Sequence, residues 1–112
     1  ASVVVRAGRI VAVERGRDHV PTLAEGETLR EIDLGDATLM PGLIDSHVHL
    51  ASDPNRQWWQ TTVTTVEAST VTAVRNAATT VRAGFTTVRD LGAPRGAAYA
   101  VRDAVAAGQI PG

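Results

Sequence analysis

The sequence contains neither cysteine nor lysine. Without thiols, a disulfide framework and a thiolate metal site are both excluded. All eleven basic residues are arginines, they form no cluster, and the formal net charge is −1. That balance argues against a nucleic-acid partner and against an anionic membrane surface. Long apolar runs are also absent, and none approaches the roughly 20 residues needed to span a bilayer. The opening ASVVVRAGRI has no basic leader followed by an apolar core, so no retained signal peptide is expected. Cytoplasmic residence is the expectation, with a previously removed leader leaving no trace. The first residue is Ala, so the start is expected to have been processed or trimmed.

The 112 residues that are present have the length of one small domain, and 44% of them are hydrophobic. That is too apolar for a disordered chain. Val3–Val5 and Ile10–Val13 are β-branched runs separated by Ala7-Gly8, which reads as a hairpin. Arg15-Gly16-Arg17-Asp18 reads as a polar turn, followed by loop composition to Glu27. His19 sits in that loop, where a solvated side chain is the ordinary role. Leu29 to Leu34 alternates apolar and charged residues imperfectly and predicts a half-buried strand. Thr38-Leu39-Met40 predicts another, ended by Pro41. Residues 1–40 therefore read as an all-β segment with too few strands to bury a core alone.

Pro41-Gly42 marks a boundary, and Leu43 to His49 reads as the first strand of residues 41–112. Side chains alternate along a strand, so Asp45, His47 and His49 share one face and Val48 the other. Two imidazoles at a strand's end suit one divalent metal, if other parts of the fold supply further ligands. The alternative is a pair of ordinary strand histidines. Asp45 either hydrogen-bonds an imidazole and fixes its tautomer or takes backbone donors. The loop ASDPNRQWWQ follows, and its Trp58 and Trp59 either line a pocket or pack beneath the loop. From Thr61 to Ala83 the period changes, and Val63, Val66, Thr70, Val74, Ala78 and Val81 predict one helical stripe. Gly84 suits the helix end, and Phe85 to Asp90 reads as a second strand, completing a parallel βαβ unit. Asp90 then ends its strand at the same mouth as the histidines, where it either supports the site or contacts substrate, or else caps the following loop. Gly96 to Ala107 suits a second helix, ended by Gly108.

The run PGLIDSHVHL resembles the first barrel strand of the amidohydrolase superfamily, metal-dependent hydrolases built on a (β/α)8 barrel. AGFTTVRDLGAPRGAAYAVRDAVAAGQIPG resembles the second β/α unit of its imidazolonepropionase-like and prolidase-like branch. That branch includes dipeptidases and amidases of the ochratoxin-hydrolase kind. The resemblance implies an α/β protein: a β-sandwich to which residues 1–40 contribute, beside a TIM barrel of which residues 41–112 form the first two units. It implies that His47 and His49 ligate a divalent metal, usually zinc, in a site of one or two ions. Asp45 and Asp90 become supports of that site, and Trp58 and Trp59 candidates for the substrate pocket.

Such enzymes complete the site with a carboxylated lysine, two further histidines and an aspartate that acts as general base. None of these can be placed on this sequence, so no catalytic residue is assigned within it. Two barrel strands cannot close, and two histidines leave a zinc short of protein ligands. The expectation is the N-terminal part, or one chain of a cleaved or split form, of an enzyme hydrolysing an amide or peptide bond. The remaining polypeptide is then an obligatory partner, the substrate is a small amide or dipeptide, and the assembled enzyme is expected to be a homo-oligomer. A deaminase or cyclic-amide hydrolase of the same superfamily is the alternative. A non-catalytic interaction module that keeps part of the fold is another.

Overall fold

The computed structural model describes residues 1–16 and 19–112, without the side chains of Trp58 and Thr61. Arg17 and Asp18 of the expected polar turn, and the Trp58 side chain, thus lie outside the described residues. The chain separates into two compact units, 1–38 and 39–112, each built on its own two-stranded sheet.

In the first unit, β1 (Ser2–Arg6) pairs antiparallel with β2 (Arg9–Glu14). The two-residue connection has φ of 49° at Ala7 and 73° at Gly8. Positive φ at both positions is the type I′ geometry whose twist matches that of the strands. The register shifts between Val4 and Val5, leaving Val11 as the extra residue on β2. Beyond the hairpin, the Arg6 guanidinium grips the Glu27 carboxylate through Nε at 3.0 Å and Nη2 at 3.1 Å. Nη2 also donates to the Thr22 carbonyl, so one arginine ties the following segment to β1.

The strands expected at Leu29–Leu34 and Thr38–Met40 do not form. Their alternation is real, but a strand also needs a neighbour to take its N–H and C=O groups. Among the described residues no such neighbour exists, and Ile32 stays 65% exposed. Among the described residues the first unit therefore holds one hairpin instead of about four strands.

The second unit is built on a βαβ motif. β3 (Leu43–Val48) and β4 (Phe85–Asp90) run parallel, joined through helices α1 (Trp58–Val63) and α2 (Val66–Arg82). A short 3-10 turn over Pro94–Gly96 then leads into α3 (Ala97–Ala106). The single helix expected over 61–83 is broken, because Thr64 and Thr65 are extended. Thr64 Oγ1 donates back to the Gln60 carbonyl, while Thr65 Oγ1 accepts the Ala68 N–H and caps α2. Hydroxyl competition for backbone partners ends one helix and starts the next. Glu67 in the first turn is held below the ordinary carboxylate range by its own backbone N–H and by Thr65. At the other end, Gly84 takes φ 94° after the cap residue Ala83.

The buried face of α2 is Ser69, Ala73 and Ala77, one position away from the stripe read through Thr70, Val74 and Ala78. Small residues win because α3 lies close, and Ala73 and Ala77 form the core with Val101. Leu50, Ala51, Val105 and Ile110 pack around them, as does Val74 of the expected stripe. The sheet itself is open: Ile44 is 71% exposed, although its apolar strand suits burial on both faces. Two strands and these helices cannot cover both sides. No described helix is long and apolar enough to cross a membrane.

Candidate functional site

A parallel pair brings the ends of both strands to one edge, and the histidines stand there. His47 is the penultimate residue of β3 and His49 the first beyond it; both are exposed. Their ring centroids are 5.4 Å apart and the planes are inclined by 75°. Between Asp45 and Val48 the register slips: three steps on β3 meet two on β4. This irregularity frees the His47 N–H from the ladder, and Asp45 Oδ1 accepts it at 3.0 Å. Of the two roles open to Asp45, the structure displays the backbone one. Its carboxylate secures the local bend that presents His47.

The His49 ring is fixed from the neighbouring strand. Its Nδ1 lies 3.0 Å from the Gly92 carbonyl oxygen. A carbonyl only accepts, so Nδ1 carries the proton and the lone pair is left on Nε2. Asp90 ends β4 and supports the same corner: Oδ2 accepts the Leu50 N–H at 3.1 Å and Oδ1 the Gly92 N–H at 2.9 Å. The Leu91 N–H completes the join by donating to the Val48 carbonyl.

Helix α2 anchors the loop that follows. Asn76 Nδ2 donates to the carbonyls of Leu50 (2.8 Å) and Ser52 (2.9 Å). Asp53 accepts the Asn55 N–H and pairs with Arg75 at 3.5 Å. The Asn55 N–H, then Arg75 and Arg56, hold its carboxyl below the usual range against the opposing effect of burial. The anchoring by Asn76 was not legible in the sequence. A lone asparagine within a helix reads as a solvated side chain, and only the fold places carbonyls against it.

Trp59 is 53% exposed and lines a hollow of about 480 Å³ with Arg56, Gln60 and Val63. His49 borders a different hollow of about 370 Å³, with Leu50, Asn76 and Thr79. The two share no residue. His19 is exposed and belongs to the first unit.

Among the described residues, no group of three or more His, Cys, Asp or Glu side chains is arranged to hold a metal. The His47 and His49 rings, 5.4 Å apart, are imidazoles of the kind a divalent ion takes, and no third side chain of a ligating type is grouped with them among the described residues.

Comparison with known proteins agrees with the strand-end motif. Over 60 residues the chain is 47% identical to an allantoinase of Streptomyces avermitilis, covering 54% of this chain and 12% of the relative. An allantoinase of Arabidopsis thaliana is 46% identical over 59 residues, 53% of this chain and 11% of that protein. An imidazolonepropionase of Porphyromonas gingivalis is 42% identical over 50 residues, 45% of this chain and 11% of the relative. The matches therefore span about an eighth of the length of these proteins or less. The profile of the amidohydrolase family matches residues 38–112, the whole of the βαβ unit and α3. With that match over well more than half its length, the chain belongs to the amidohydrolase family.

Proposed function

We propose that these residues form the opening part of a metal-dependent hydrolase that cleaves the C–N bond of an amide. His47 and His49 would be two ligands of one divalent ion, zinc being among those that imidazole donors suit. The observation that carries this reading is the His47–His49 pair: two exposed rings 5.4 Å apart, at the strand end where barrel enzymes place their chemistry. When bound, the ion supplies Lewis acidity and an acidified water. The residues of this chain hold and orient. Asp45 secures the bend beneath His47, and Gly92 keeps the proton on His49 Nδ1 so that Nε2 is free to bind. The remaining ligands, the general base and the strands that close a (β/α)8 barrel would come from polypeptide beyond these residues. The hairpin β1–β2, with four large apolar residues more than half exposed (Val5, Ile10, Val11 and Val13), would join a sandwich beside that barrel.

Among amides, a cyclic one is favoured over a peptide. The relatives are named for allantoin and an imidazolone.

The test is native mass spectrometry of the full-length protein with metal analysis on the same sample, followed by turnover of cyclic amides and dipeptides. One or two zinc equivalents and ring opening are expected. His47→Ala and His49→Ala should each lose a metal equivalent and most of the activity. A folded protein that binds no metal, or variants with unchanged activity, would refute the assignment.

A further inference from the structure

The hydrogen bonds of the Asp90 carboxylate go to backbone N–H groups, and they hold both sides of the His49 corner. Oδ2 takes the N–H of Leu50, the residue after His49, and Oδ1 takes the N–H of Gly92, whose carbonyl receives His49 Nδ1. The donor of the imidazole bond and its acceptor are thus fastened to one side chain, two residues from the acceptor in sequence and forty from Leu50. Asp90 is partly buried, and both of its oxygens are occupied by these backbone donors. The arrangement is specific to a carboxylate. Two acceptor oxygens are needed on a short stem, one for each N–H.

We infer that Asp90 is a positioning residue that sets the tautomer and orientation of His49, by fixing the Leu50 and Gly92 backbone around the Nδ1–H···O=C bond. Without it, Gly92 and Leu50 are joined only by the backbone bonds of the strand ends. The carbonyl then drifts from the ring, and the imidazole reverts toward the Nε2–H form that free histidine prefers. A proton on Nε2 blocks the lone pair that a metal requires. The consequence for metal binding rests on the ligand role proposed for His49. The consequence for the tautomer does not.

The experiment is a long-range ¹⁵N correlation spectrum of histidine-labelled, metal-free, full-length protein at about pH 9, where free imidazoles are neutral. Native protein should show His49 protonated at Nδ1. Asp90→Ala should convert His49 wholly or partly to the Nε2–H form, and zinc affinity should fall roughly 10–100-fold. Asp90→Asn keeps the shape and one acceptor oxygen, and should fall between the two; it carries the test if the alanine variant does not fold. Folded variants that retain the native His49 tautomer overturn the inference even if zinc binding falls, and so does a native His49 protonated at Nε2. If the tautomer shifts as expected while native protein binds no zinc, the positioning role stands and the metal reading fails.

Discussion

Gly42 lies so close to Thr86 that a Cβ on the glycine would overlap the threonine Cβ, Cγ2 and Oγ1. Thr86 is also the residue at which β4 gains a position on β3, between the Leu43–Phe85 and Ile44–Thr87 pairs. The glycine before β3 is therefore needed to admit the Thr86 side chain, and a new rotamer at Thr86 does not relieve the overlap with its Cβ. Gly42→Ala should destabilise the second unit by about 1–3 kcal/mol, the usual cost of overpacking. Urea denaturation followed by far-UV circular dichroism measures it; an unchanged midpoint would contradict the close approach.

Asn76 replaces the ladder that β3 loses after His49. Its amide holds the Leu50 and Ser52 carbonyls, and no backbone donor does the same. Asn76→Ala should cost about 1–2 kcal/mol. It should also speed amide exchange at residues 51–53 more than in β1–β2. Uniform exchange changes across both units would show that the effect is not local.

The pH dependence has a definite sign. Asp53 and Glu67 both have carboxyls held below their ordinary range, so each contributes stability at pH values above that range. The contribution is lost as pH falls below about 4 and through the lowered values, because the unfolded chain takes up the protons first. Urea midpoints between pH 6 and pH 2.5 (approximate limits) should decline on the acid side. The decline should be shallower in Asp53→Asn and Glu67→Gln. A native-like acid limb in both variants would place the titration elsewhere.

Ala7 is the one non-glycine residue in the β1–β2 turn, and its φ of 49° crowds a Cβ against the backbone. Ala7→Gly should stabilise the hairpin by about 1 kcal/mol. Slower amide exchange across the Val3–Val13 and Val4–Ala12 pairs reads this out directly. Faster exchange would mean that the turn is not type I′ in solution.

Much of the second unit was legible in advance because local chemistry and tertiary packing agree there. Pro41-Gly42 opens β3, Gly84 ends α2, and β4 follows immediately, so the parallel βαβ order was readable from punctuation and period alone. The break at Thr64-Thr65 left a weaker trace. Thr64, with Glu67 three residues on, has the spacing of a capping box, one position from the real cap at Thr65. Leu29–Leu34 shows the opposite case, where an alternating pattern met no partner strand.

The sequence by itself determined the chemistry available to this protein: no thiol, no lysine, and two imidazoles two residues apart at a strand's end. Strand periodicity was enough to put them on one face. Only the tertiary structure decided how they are held. The slipped register gives the His47 N–H to Asp45, Gly92 takes the His49 proton, and Asp90 and Asn76 fasten the corner from β4 and α2. Those partners lie as much as 43 residues away in the chain. Their pairing depends on the register of β4 and the rotation of α2, which packing sets and local sequence does not.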